Sequence, residues 1–221
     1  MIVVDENLKP ETFVKTDRGH GNIDAILSNV FFGNGYLIAS EGHMLLYSKV
    51  KMDKGDEYCL ISKEQYKQAR KSSKGHIGVH FFVTDGEIKF ADETTSPRVN
   101  DVKRKDLIDF AKMISKLIGF TKSRLGGTKS VALLNKEYFK KCLDAFGKDE
   151  QVKWLFGKTA FDPMIIKPPV NENHAFALLL GMQDSSVKKD TQGEYQKARE
   201  EFYAQFKKEE PEPETKKRRK K

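Results

Sequence analysis

Leu37-Ile38-Ala39-Ser40-Glu41-Gly42-His43-Met44-Leu45-Leu46-Tyr47 is the stretch on which the reading of this chain turns. Apolar residues run up to a tight Ser-Glu-Gly-His corner and resume directly after it. This predicts two β-strands joined by a short turn, with Gly42 in a conformation that other residues resist. The polar His43 is held at the corner, so the corner is either a plain turn or the rim of a binding site.

Upstream, residues 26–32 are apolar and rich in strand formers, and Gly33-Asn34-Gly35 separates them from residues 36–39. That is a hairpin signal. Residues 1–20 carry weaker signals: a turn at Pro10-Glu11-Thr12 and a loop at Arg18-Gly19-His20-Gly21. Downstream of the corner, residues 44–50 read as a third strand. A turn at Asp53-Lys54-Gly55-Asp56 leads to a fourth strand at residues 58–61. Ser62 is placed to cap a helix over residues 63–72. Residues 77–83 and 87–91 flank Asp85-Gly86 as a second hairpin. The order predicted to this point is β-β-β-β-α-β-β.

Residues 94–97 read as a joint, and basic Lys103-Arg104-Lys105 follows. Leu107, Ile108, Phe110, Ala111, Ile114, Leu117 and Ile118 fall at helical spacing and predict an amphipathic helix over residues 106–118. Residues 122–127 read as a basic, glycine-containing loop and 131–134 as a strand. Asn135 caps a second helix over residues 136–146, with Phe139, Cys142, Leu143 and Phe146 on one face. Residues 152–156, 164–166 and 175–180 are strands. The second block therefore reads α-β-α-β-β-β. From residue 184 large apolar side chains are few; an acidic run, Glu209-Glu210-Pro211-Glu212-Pro213-Glu214, precedes Lys216-Lys217-Arg218-Arg219-Lys220-Lys221. This tail is expected to be mostly disordered, apart from a lone helix over residues 194–208.

The 221 residues are enough for one large or two small domains, and 38% hydrophobic content supports a core. A formal net charge of +8 with a pI near 9.2 points to a polyanionic partner, nucleic acid first. Cys59 and Cys142 lie in apolar runs and read as buried thiols of a reducing cytoplasm. The acidic start of the chain does not read as a signal peptide, and no apolar run is long enough to span a bilayer. No P-loop, dinucleotide fingerprint or nucleophile elbow is present, and the five histidines give no metal-ligand spacing. The expectation is a non-enzyme with no catalytic residue, no cofactor and no metal.

Two blocks of short strands, each containing a helix, resemble the DNA sliding clamps of bacteria, the β subunit of the replicative polymerase. At the corresponding point of their middle domain those proteins carry Ala-Thr-Asp-Gly-His-Arg-Leu-Ala; here Ala39-Ser40-Glu41-Gly42-His43-Met44-Leu45-Leu46 keeps the alanine, glycine, histidine and leucine. Leu27-Ser28-Asn29-Val30-Phe31-Phe32, Ile61-Ser62-Lys63-Glu64-Gln65 and Ser96-Pro97-Arg98-Val99-Asn100-Asp101-Val102 resemble the preceding strand, the strand-to-helix entry and the passage to the last domain. Ala132-Leu133-Leu134-Asn135-Lys136-Glu137-Tyr138-Phe139, Asp162-Pro163-Met164-Ile165-Ile166-Lys167-Pro168 and Ala177-Leu178-Leu179-Leu180-Gly181-Met182 resemble the end of that last domain. The matches keep one order over residues 24–183. The chain departs from the family in lacking a first domain and the early strands of the last one, with Gly181 for a proline and Met44 for an arginine.

The resemblance implies an α+β fold of repeated βαβββ units with helices on one face of antiparallel sheets. It implies a clamp-like domain over 1–98 like the middle domain, a second over 99–183 like the last, and an added tail over 184–221. The implied function is a processivity factor that encircles duplex DNA and tethers a polymerase through a peptide-binding pocket. The alternative is a non-ring DNA-binding or clamp-mimicking protein of a phage or mobile element. The helices would turn Lys63, Lys67, Arg70, Lys71, Lys103, Arg104, Lys105, Lys112, Lys116, Lys122, Arg124, Lys136, Lys140 and Lys141 toward DNA. The pocket for clamp-binding-motif peptides would be formed by Ser40, Gly42, His43, Met44 and Leu45 with Leu180, Gly181 and Met182. That requires the 40–45 corner and the 178–182 strand to be neighbours. Implied partners are duplex DNA, a polymerase, other clamp-binding proteins, a clamp loader and further copies of the chain in a ring, in the cytoplasm of a bacterial or phage-infected cell and with no membrane.

Overall fold

The computed structural model describes residues 1–15, 22–53, 58–99, 102–125, 136–146, 151–157, 162–168 and 175–179. The chain divides into two compact units, Met1–Gln183 and Asp184–Lys221, and every described residue lies in the first.

The elements run β1 (Ile2–Val4), a 3-10 turn (Pro10–Thr12), α1 (Asn22–Leu27), β2 (Asn29–Gly33), β3 (Tyr36–Ser40), β4 (Met44–Lys49), β5 (Lys51–Met52), β6 (Tyr58–Ser62), α2 (Lys63–Ser72), β7 (Val79–Val83), β8 (Glu87–Phe90), β9 (Thr95–Pro97), α3 (Arg104–Arg124), α4 (Lys136–Asp144), β10 (Lys153–Leu155), β11 (Met164–Lys167) and β12 (Ala175–Leu179). They form two antiparallel sheets, β5-β1-β7-β8-β9 and β10-β11-β12-β4-β3-β2-β6. The fold is α+β, and a strand–helix–three-strand unit recurs in it.

The first two units exchange their leading strands. β1 pairs with β7 of the second unit, and β6 pairs with β2 of the first. Each unit thus contributes a strand to the sheet of the other. A third unit, α4 with β10 to β12, joins them through β12, which pairs with β4 from Ala175↔Ser48 to Leu179↔Met44. One sheet therefore runs without a break through residues on both sides of the 98/99 boundary.

The seven-stranded sheet is apolar on both faces, as the alternation of its strands requires. Phe32, Leu37, Met44, Leu46, Ile61, Met164, Ala177 and Leu179 face one side, where they pack with Tyr66 and Ala69 of α2, Cys142 of α4, and Ile2, Val4, Phe81 and Phe90 of the smaller sheet. Phe31, Ile38, Leu45, Leu60, Ile165, Phe176 and Leu178 face the other side and pack under Ile26 of α1 and Leu107, Phe110, Ile114 and Ile118 of α3. The helices α2 and α4 thus share one face, as expected, while α1 and α3 cover the opposite one. At 1.5 Å per residue the 21 residues of α3 span about 31 Å, close to the roughly 29 Å across seven strands. Its start lies by β6, with Arg104 over the Tyr58 ring, and its end reaches β10, where Leu125 bridges Gly157.

Several local expectations are corrected. Residues 26–27 close α1 and do not begin a strand: Ser28 donates its backbone N–H and its hydroxyl to Asp24 O, and the Asn29 amide donates to Ala25 O, so these residues cap a helix end. The joint at 94–97 is largely strand β9, paired with β8 at Glu87↔Pro97 through Lys89↔Thr95. Pro97 is tolerated because the strand is an edge. The helix expected over 106–118 extends to 104–124 and absorbs part of the basic loop. β1 and α1 are additions that the predicted order lacked. The expected strand at 131–134, the loop at 18–21 and the tail helix at 194–208 lie outside the described residues.

Candidate nucleic-acid interface

Ser62 starts α2 with a reciprocal cap: its hydroxyl accepts from Gln65 N–H at 3.2 Å, and the Gln65 side chain accepts from Ser62 N–H at 2.9 Å. The Gln65 amide also donates to Ser96 Oγ at 2.9 Å and Pro97 O at 2.6 Å, tying α2 to the far edge strand. Tyr66 and Ala69 are fully buried, so Lys67 and Lys71 on the remaining arc are exposed, with Lys63 half-buried. Arg70 is committed elsewhere. Its guanidinium donates to Glu6 O at 2.6 Å and to Leu8 O, and it pairs with Glu11 at 3.4 Å. An open cleft of about 660 Å³ adjoins this end of the helix, lined by Lys67, Lys71, Lys74, His76 and Glu6 among others.

On α4, Cys142 is buried and Lys136 and Lys140 are exposed. Burial pushes the Cys142 thiol up to about 12; the Glu41 carboxylate adds to the shift and Lys141 opposes it. The shift favours the neutral thiol, the form that does not act as a nucleophile. Lys141 is paired with Glu41 at 2.9 Å.

The lysines and arginines of α3 form a separate group. Lys103, Arg104, Lys105, Lys112, Lys116 and Lys122 are exposed, but their helix lies on the face of the sheet opposite α2 and α4. Lys122 sits 5.9 Å from the Phe176 ring, and Arg124 pairs with Asp162 at 3.4 Å. The fourteen residues read together from sequence therefore divide into two sets, one on each side of the molecule.

The 40–45 corner is built by Ser40. Its hydroxyl donates to Met44 O at 2.8 Å and accepts from Gly42 N–H at 3.1 Å, while Gly42 takes φ +101°. His43 is exposed and stacks on Tyr138 of α4, ring centroids 5.3 Å apart at 17°. With Glu41–Lys141, this fastens the corner to α4. Tyr138 and Lys141 are corner residues that the sequence reading missed as such; nothing in the linear pattern joins positions a hundred residues apart.

Strand β12 brings Leu178 and Leu179 directly opposite Leu45 and Met44. Both pairs are buried, Leu45 at 3% exposure and Leu178 at 1%. Leu45 and Leu178 lie in the core cluster that α3 covers, and Met44 and Leu179 in the one on the α2 and α4 side. Leu180, Gly181 and Met182 lie outside the described residues.

No protein-family model matches the sequence, and no curated protein matches it. The fold does match solved structures. A Bacillus subtilis DNA polymerase sliding clamp is similar at TM-score 0.54 and 12% identity, over 83% of this chain and 64% of that one. The Caulobacter crescentus polymerase III β subunit is similar at TM-score 0.54 and 13% identity, over 83% and 66%. A Pseudomonas aeruginosa sliding clamp bound to griselimycin is similar at TM-score 0.54 and 12% identity, over 81% and 63%. The chain has the fold of the bacterial sliding clamps and spans just under two thirds of their length.

Among the described residues no group of three His, Cys, Asp or Glu side chains could hold a metal ion, and no helix is long and apolar enough to cross a membrane.

Proposed function

We propose that this chain is a clamp-type processivity factor that holds duplex DNA without reading its sequence and tethers a polymerase to it. The observation that carries this reading is the shared face of α2 and α4. Both helices lie on one side of a continuous sheet in a clamp fold, and Lys67, Lys71, Lys136 and Lys140 are exposed on them. Duplex DNA carries a charge about every 1.7 Å of its axis, and lysine–phosphate contacts give affinity without base readout, which sliding demands. The role is one of binding, with no catalysis. Residues 1–98 and 99–183 act as two clamp-like domains, and copies of the chain assemble around the duplex in the cytoplasm of a bacterial or phage-infected cell, with the help of a loader. The corner at 40–45 and the segment at 178–182 receive the client's peptide, the pairing of Leu45 with Leu178 supporting their proximity.

The test is topological. The full chain is assembled on a closed circular duplex and on the same duplex linearised, then washed. Retention on the circle with loss from the linear form supports encirclement. A specific observation favours a second reading, a non-ring DNA-binding or clamp-mimicking protein: α3 covers the face that Leu45 and Leu178 share. Equal release from both duplexes, with DNA affinity intact, selects that reading.

A further inference from the structure

The cleft of about 660 Å³ at the end of α2 has three walls: the last turns of the helix, the loop from Ser73 to Gly78, and Glu6 with Asn7 just after β1. Its charge is one-sided. Lys67, Lys71, Lys74 and His76 line it and all are exposed, while among the described lining residues Glu6 is the only carboxylate. Lys67 and Lys71 stand one turn apart on α2, and the Lys74 N–H on Lys71 O at 3.4 Å carries the turn on to Lys74. Lys71 also acts on Asp92 of the β8–β9 turn, whose carboxyl is held below the usual range first by the Thr94 hydroxyl and more weakly by Lys71.

The walls are fixed by the chain's own hydrogen bonds. The buried Ser73 hydroxyl donates to Ala69 O at 2.7 Å and accepts from His80 N–H at 2.9 Å, which pins the loop between α2 and β7. Gly78, at φ +88°, lies so close to β1 that a Cβ there would come within 2.7 Å of Val4 O. Arg70 donates to Glu6 O at 2.6 Å and to Leu8 O, so its charge is spent on holding the third wall. The negative end of the helix is answered internally, because Ala69 O takes the Ser73 N–H and the Ser72 and Ser73 hydroxyls. A preset cationic recess loses little conformational freedom on binding an anion.

We propose that this cleft binds a phosphate monoester, the group carried by a 5′-phosphorylated strand end or by a free nucleotide. Such a group has a charge of about −1.5 to −2 at pH 7 and three strong acceptor oxygens. Three ammonium groups and an imidazole N–H supply the donors for them. A backbone phosphodiester has a single charge and a sugar on each side, which suits the convex arc of a helix; a terminal phosphate projects and can enter a recess. The volume also admits the attached sugar, lying within the roughly 300–1,000 Å³ of small-molecule sites. The inference goes beyond duplex binding, needs no ring, and adds Lys74 and His76 to the residues that meet phosphate.

The test compares one short duplex with 5′-phosphate ends and the same duplex with 5′-hydroxyl ends, each titrated with the full chain and followed by anisotropy of a label at a 3′ end. The phosphorylated duplex should bind at least about tenfold more tightly, the worth of an added charge-assisted contact. Lys74→Gln with His76→Ala, both exposed and with circular dichroism unchanged, should bring that ratio near one. Lys136→Glu with Lys140→Glu on α4 should weaken both duplexes and keep the ratio. Millimolar inorganic phosphate should erase the preference. A 5′-mononucleotide that displaces the phosphorylated duplex as well as a second phosphorylated end does supports the site with a free nucleotide as occupant; displacement by the strand end alone supports the strand end. Equal affinity for the two duplexes together with no displacement by the mononucleotide, or a preference that survives K74Q/H76A, would overturn the proposal. The salt dependence of the 5′-hydroxyl duplex, measured on the same samples, reports the clamp reading separately.

Discussion

The first pair of units and the third unit are built to one pattern, yet among the described residues their matching side chains differ in exposure. Phe81 on β7 is fully buried in the core against Phe32, whereas Trp154 and Phe156, on and just beyond β10, are half-buried. The difference teaches that this fold is made in halves. A strand–helix–three-strand unit supplies an apolar face and a leading strand, and in the first pair each leading strand completes the sheet of the other unit. Within the chain, β12 on β4 and the helix α3 attach the third unit to the first pair.

Substitutions at equivalent positions break the comparison most sharply. Phe81→Ala should cost about 3–5 kcal/mol by chemical denaturation, since a fully buried ring leaves a cavity. Trp154→Ala should cost no more than about 1–2 kcal/mol, because part of its surface is already wet. Equal costs would mean that Trp154 is packed as deeply as Phe81. Arg70→Ala should remove about 1–3 kcal/mol of stability by leaving Leu8 O and the largely buried Glu11 without their donor. Its effect on duplex affinity should be small beside that of the exposed lysines one turn away. Cys142 gives the mildest test. Because the fold favours the neutral thiol, its contribution is complete below the ordinary thiol range near 9 and is lost as the pH climbs toward about 12. At pH 8 the native protein should leave Cys142 unmodified by a thiol reagent, with reaction following unfolding; rapid native labelling would contradict the packing of α4.

Much of this was legible in the sequence. The hairpin at Gly33-Asn34-Gly35, the corner at Gly42 and the cap at Ser62 each carry local chemistry that decides their shape, and α2 runs over the expected residues 63–72. The sequence also signalled the apolar stripe of α3, because its spacing is local. What it did not signal was side: α3 reads as one more basic helix, and only the alternation of Phe31, Ile38, Leu45 and Leu178 beneath it sets it on the opposite face from α2. The exchange of β1 and β6 was illegible for a related reason. A three-residue strand carries almost no periodic signal, and its partner lies some seventy-five residues on, from Ile2↔Phe81 to Val4↔Val79. The corner's contacts with Tyr138 and Lys141 are equally non-local.

The two basic faces supply the most direct measurement of the account. Duplex affinity is followed against salt for the wild-type chain, for K67E/K71E on α2 and for K105E/K112E on α3, all four positions being exposed. The account predicts that K67E/K71E lowers affinity and reduces the slope of log K against log salt by about 2, near 0.9 for each phosphate contact removed. It predicts that K105E/K112E leaves the slope within about 0.5 of the wild type, since non-contacting charges act only at a distance. A slope lost through the α3 pair and kept through the α2 pair would put the DNA on the other face of the sheet and contradict the clamp reading.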